Sequence, residues 1–102
     1  MLHYILVKYS PAVNDRSALE REIRALFAAA PSIPGVHGVS VHPAAIRAEN
    51  RHDLMIVINM EQAALPSFDA SSIHSRWKAE FGRYIAHKTI FDCDTPSSGS
   101  LA

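Results

Sequence analysis

His52-Asp53-Leu54-Met55-Ile56-Val57-Ile58-Asn59-Met60 is apolar from Leu54 to Ile58 and again at Met60. The run is too short for a membrane span, which needs about 20 residues. Ile56, Val57 and Ile58 are consecutive β-branched residues, and their restricted χ1 torsions favour a strand over a helix. Successive strand side chains point to opposite faces. Leu54, Ile56, Ile58 and Met60 therefore share one face, and Met55 and Val57 share the other. A half-exposed antiparallel strand shows polar residues at alternate positions, and this one does not. Both faces of its sheet need cover.

Leu2 to Tyr9 is a second such run, closed by Ser10-Pro11. His3, Ile5, Val7 and Tyr9 fall on one face; Leu2, Tyr4, Leu6 and Lys8 fall on the other. Neither face is clearly polar, which predicts a central strand. Asn14 to Ala30 predicts a helix, because Leu19, Ile23, Leu26, Phe27 and Ala30 form one stripe at helical spacing. Asn14 or Asp15 can cap it, and Ser17 with Glu20 matches a capping box. Pro31 stops it. Pro34-Gly35 marks a turn.

From Val36 to about Ile46 the chain alternates, with Val39 and Val41 opposite Gly38, Ser40 and His42. That pattern, with Pro43, predicts an edge strand. Arg47 to Arg51 is a polar loop, and Arg47, Arg51 and Asp53 read as part of a solvated face. Gln62 to Leu65 reads as one helical turn before Pro66. Asp69 or Ser71-Ser72 then caps a helix whose stripe is Ile73, Trp77, Phe81, Tyr84 and Ile85, with Gly82 costing it ~1 kcal/mol. Lys88 to Asp94 closes as a fourth strand. Residues 95–102 are small and polar, a C-terminal tail.

The order strand, helix, strand, strand, helix, strand, joined by short connections, predicts a ferredoxin-like α+β fold within one domain, residues 1–94. Two helices cover one face of a four-stranded antiparallel sheet, and no further segment remains for the other. An uncovered apolar face of this kind is an association surface. The expected partner is a second copy, with the two sheets packed face to face about a two-fold axis.

The 102 residues carry 10 Lys plus Arg against 10 Asp plus Glu, a formal charge of zero. No electrostatic footprint for nucleic acid or an anionic membrane results. The single cysteine, Cys93, permits no internal disulfide and reads as a small half-buried apolar residue. Met1-Leu2-His3-Tyr4 has no signal-peptide pattern, so a cytoplasmic protein is expected. His3, His37, His42, His52, His74 and His87 match no metal-ligand spacing, and glycine loops for phosphate are absent, so no metal and no cofactor is expected.

Several stretches resemble the Dabb family, the stress-responsive dimeric α/β-barrel domains. They are His3-Tyr4-Ile5-Leu6-Val7-Lys8, Ile33-Pro34-Gly35-Val36, Asp53-Leu54 and Lys88-Thr89-Ile90-Phe91-Asp92. The family tends to open its last helix with Tyr-x-x-His-Pro-x-His. Here Phe68-Asp69-Ala70-Ser71-Ser72-Ile73-His74 keeps only the final histidine. The resemblance implies a barrel formed across a dimer, with a small cavity between each sheet and its helices. Some plant members are polyketide cyclases that use a histidine and a tyrosine there. It points to His74 as a base toward an acidic C–H beside a carbonyl, with His3 as its polarising partner. Ile5, Phe68, Trp77 and Phe81 are the expected lining for a small apolar or carbonyl ligand. Phe68 cannot donate the hydrogen bond that a phenol offers a developing enolate. Tyr4, Tyr9 and Tyr84 are the phenols available to replace it. The alternatives are a non-catalytic module whose cavity is filled by Phe68, Trp77 and Phe81, and a cofactor-independent monooxygenase of the related barrel group, the latter on fold analogy.

Overall fold

A computed structural model describes residues 1–95; the tail expected over 95–102 lies outside them except for its first residue. The strands are β1 (Leu2–Tyr9), β2 (Val36–Pro43), β3 (Leu54–Met60) and β4 (Ile85–Cys93). The helices are α1 (Arg16–Phe27), α2 (Leu65–Asp69) and α3 (Ser72–Phe81). Short 3-10 turns occupy Ala30–Ser32, Gln62–Ala64 and Gly82–Tyr84. The sheet order is β2-β3-β1-β4, and every pairing is antiparallel. This is the expected ferredoxin-like α+β arrangement.

Registry fixes the two faces. Ile5 pairs with Ile56 and with Ile90, and Val41 pairs with Ile56. His3, Ile5, Val7 and Tyr9 of β1 thus lie with Leu54, Ile56, Ile58 and Met60 of β3 under the helices, and all eight are buried. Leu19, Ile23, Leu26 and Phe27 of α1 and Ile73, Trp77 and Phe81 of α3 close the core from above. Phe27 and Trp77 meet edge to face, 5.2 Å between ring centroids.

The other face bears Leu2, Tyr4, Leu6, Met55, Val57 and Phe91, with no helix over it among the described residues. Phe91 is 59% exposed. The thinnest dimension of the subunit, 19 Å, is the thickness of one sheet plus one helix layer.

Several boundaries differ from the sequence reading. The first helix spans Arg16–Phe27 rather than Asn14–Ala30. Asp15 is its cap, accepting from the Ala18 N–H at 3.0 Å, and the Ser17 capping box is not formed. Beyond Phe27 the chain turns, and Pro31 enters a 3-10 turn. The second strand stops at Pro43, short of Ile46, after which only the Ala44 N–H still donates across, to the Asp53 carbonyl at 2.9 Å. Pro66 does not end a helix but stands in the first turn of α2, where its missing N–H costs nothing. The last helix ends at Phe81; Tyr84 falls in a 3-10 turn, and Ile85 opens β4 by pairing with Tyr9. Gly82 and Arg83 are both exposed and give the helix no buried face to propagate.

Asp53 is the largest correction. It is 3% exposed, not part of a solvated face. Its carboxylate accepts from the Tyr9 N–H at 2.8 Å and from Arg16 Nη1 at 3.0 Å, with Lys8 Nζ at 4.0 Å. Burial pushes its pKa up, but the Tyr9 N–H, Arg16 and Lys8 outweigh it and hold the carboxyl below the ordinary aspartate range.

Gly35 joins the two halves of the chain. Its φ is +87°, a left-handed conformation, and a Cβ there would stand 2.8 Å from Ala64 Cβ. Its carbonyl accepts from the Glu61 N–H at 2.8 Å, which sets the start of the segment carrying α2. Gly35→Ala is expected to cost about 3 kcal/mol, from the left-handed backbone and from overpacking against Ala64. Urea unfolding of the variant measures it, and an unchanged midpoint would remove this role.

Candidate active site

His3 lies on the helix side of β1 and is 6% exposed. Its neighbour across the ladder is Asp92 on β4, and the two side chains are hydrogen-bonded through His3 Nδ1 and Asp92 Oδ1. An ionised carboxylate only accepts, so Nδ1 carries the hydrogen of this bond, and Nε2 is the nitrogen left for another partner. Among the described residues Nε2 makes no hydrogen bond. The sequence reading did not pair Asp92 with His3. The signal was present in its parity: both residues lie on the helix-side face once β4 is placed beside β1.

Phe68 projects from α2 and is fully buried. Its ring meets His3 edge-on at 5.9 Å and His74 edge-on at 5.5 Å. His74 enters through the first turn of α3. Ser71 caps that helix, its hydroxyl accepting from the His74 N–H at 3.2 Å. The His74 side chain keeps 18% of its surface, and its Nε2 stands 4.0 Å from Asp69 Oδ1. Burial lowers the His74 pKa, Lys78 and Lys88 lower it further, and Asp69 opposes them. A neutral imidazole at pH 7 results, which is the form that accepts a proton.

The three side chains therefore form a row, His3–Phe68–His74, with Asp92 anchoring one end. Ile5 follows His3 on the same face and is 1% exposed. Trp77 and Phe81, at 1% and 6%, belong to the α1–α3 core and stack at 5.8 Å. No phenol reaches the row. Tyr9 donates to Glu20 at 2.8 Å, and burial with that bond raises its pKa. Tyr4 is on the open face against Phe91, and Tyr84 bonds Arg83. Among the described residues the Phe68 ring is the one side chain in edge-to-face contact with both imidazoles.

Among the described residues no three His, Cys, Asp or Glu side chains converge on a common point as a metal site. No helix among them is long and apolar enough to cross a membrane. Cys93 is half-buried.

No family model matches the chain, and no curated protein resembles it in sequence. Solved structures do resemble it in fold. A dimeric ferredoxin-like protein of unknown function from Bacteroides fragilis superposes with a TM-score of 0.76 at 10% identity, over 92% of this chain and 94% of that one. An Arabidopsis thaliana protein gives 0.74 at 14% identity, over 96% and 97%. A putative antibiotic biosynthesis monooxygenase from Bordetella bronchiseptica gives 0.64 at 16% identity, over 93% and 97%. These likenesses establish a ferredoxin-like α+β fold of a kind that occurs in dimers.

Proposed function

We propose that the chain is a homodimeric α/β barrel of the Dabb type that takes a small carbonyl compound between sheet and helices and moves a proton there. The row His3–Phe68–His74 carries this reading. His74, neutral and partly accessible, is the group that accepts a proton from the carbon beside the carbonyl. His3 is held in one orientation by Asp92 and polarises the carbonyl side. A compound reaches the two imidazoles where Phe68 yields, and Phe68 stands on α2, a helix of 5 residues. The Dabb assignment rests on the stretches quoted above and on the fold. The dimer rests on the apolar open face and on the dimeric neighbours. The cytoplasmic expectation from the sequence belongs to the same reading.

A second reading has one observation in its favour: Phe68, Trp77 and Phe81 are buried to 0%, 1% and 6% exposure. On that reading the barrel is a non-catalytic module with a filled interior.

Deuterium exchange at the methyl group of acetophenone, followed by proton NMR in D2O, separates the two. The proposal expects the protein to accelerate exchange over buffer and His74→Gln to remove roughly hundredfold of that acceleration, the usual scale for a positioned base. Exchange at the buffer rate with wild-type protein would sink the catalytic reading and leave the filled module. A large loss of stability in His74→Gln would make that residue structural.

A further inference from the structure

A second group of side chains gathers at the far end of β1 from His3, on the opposite face of the sheet. Lys8 and His87 are register partners there, and Thr89 shares their face. The segment between β2 and β3 folds over this end. Lys8 Nζ donates to the carbonyl oxygens of Ala48 and Arg51 at 3.0 and 2.7 Å. That tether sets Glu49, Asn50, Arg51 and His52 around a concavity of about 350 Å3, completed by Lys8 and His87.

The two imidazoles are arranged around one atom. The rings of His52 and His87 lie 6.4 Å apart, inclined by 29°. Their Nε2 atoms stand 3.4 and 3.3 Å from Thr89 Oγ1. A hydroxyl has one hydrogen to donate. With both rings neutral, it can donate to one Nε2 while accepting from the other. When both rings take up a proton, both Nε2 atoms become donors and two positive charges stand side by side. Lys8 and Arg51 add two more. Against these four groups the concavity has one carboxylate of its own, Glu49. Asp53, near Lys8, is already engaged by Arg16 and the Tyr9 N–H. In a chain with no net charge this is a local concentration of cationic donors.

We propose that this concavity is a binding site for a small oxyanion, a carboxylate or sulfate-like group held by Arg51, Lys8 and the His52–His87 pair. Its volume is at the lower end of the range for small-ligand sites, about 300 to 1,000 Å3. Arginine offers a planar fork to two oxygens of such a group. An anion beside the two rings is attracted more strongly when they carry positive charge. Binding and protonation are therefore linked, and affinity rises as pH falls through the histidine range. The site lies at the end of the sheet face proposed for the second copy, away from Tyr4 and Phe91, and does not use the row around Phe68.

The test titrates the full chain with sulfate, whose charge is fixed across this range, and separately with malonate. The imidazole C–H signals are followed by NMR at about pH 6 and about pH 8, at constant ionic strength. The His52 and His87 signals are expected to move saturably, with affinity roughly tenfold higher at the lower pH. The tighter of the two probes identifies the preferred oxygen geometry. His52→Gln with His87→Gln is expected to abolish the pH dependence, and Arg51→Gln to weaken binding at both pH values. Equal movement with chloride, equal movement of His3 and His74, or variants that bind like wild type would each overturn the site.

Discussion

Tyr4→Lys is expected to yield a folded subunit that sediments alone at concentrations where the wild-type chain is expected to sediment as a pair. Tyr4 occupies the middle of the uncovered sheet face, with Val57 on one side and Phe91 on the other. Its ring lies 6.3 Å from that of Phe91. A second copy laid on this face takes these side chains out of water at about 25 cal/mol per Å2 of apolar area. An ammonium placed there has no acidic partner on β1, β3 or β4 of the same face and must be desolvated in both subunits at once. Burying an unpaired charge costs several kcal/mol, so dissociation should strengthen by about a hundredfold or more. The subunit's own core lies on the other face and is untouched, so the circular dichroism spectrum should not change. Sedimentation velocity at micromolar concentration decides it. A wild-type chain that is monomeric there would remove the dimer, and a variant that remains paired would place the interface elsewhere.

Asp53→Ala is expected to cost about 3 kcal/mol of stability, because it strands a buried N–H and unpairs Arg16. The Tyr9 N–H has no other acceptor at this position, whereas Arg16 can turn to solvent. Asp53→Asn keeps an oxygen for that N–H and should cost less. The pH dependence carries a sign. The Asp53 carboxyl titrates below its ordinary range in the folded state, so the unfolded chain binds the proton first on acidification. Its stabilisation is complete above the ordinary aspartate range, near pH 4, and is lost as pH falls through the lower folded value. Asp53→Asn should flatten that acid limb. His74 works at higher pH in the same direction. Its lowered pKa means the unfolded chain takes up that proton first, so a separate loss begins as pH falls through about 6.5 and survives in Asp53→Asn. Urea titrations at a series of pH values separate the two. An unchanged acid limb in Asp53→Asn would show that the carboxylate contributes nothing net.

Periodicity was enough to identify the strands and the two long helices, because a repeat of two or of 3.6 reports which side of each element is dry. It also showed that one subunit has too little material to cover both faces of its sheet. Boundaries were less legible where local preferences compete. Tyr84 and Ile85 continue the stripe of α3 by spacing, yet pairing of Ile85 with Tyr9 draws them out of the helix. Of the residues from 62 to 69, the turn before Pro66 was legible, but the five-residue helix α2 was too short to give a periodic signal.

The amino-acid order by itself therefore determined the ferredoxin-like α+β fold, the composition of its core and the unshielded apolar face. Only the tertiary structure decided that His3 meets Asp92, that Phe68 stands between His3 and His74, and that Asp53 is buried among Tyr9, Arg16 and Lys8. Element patterns depend on near neighbours along the chain and can be read from it. These contacts join residues up to 89 positions apart, and their existence depends on strand order and register, which the chain sets only when all its elements pack together.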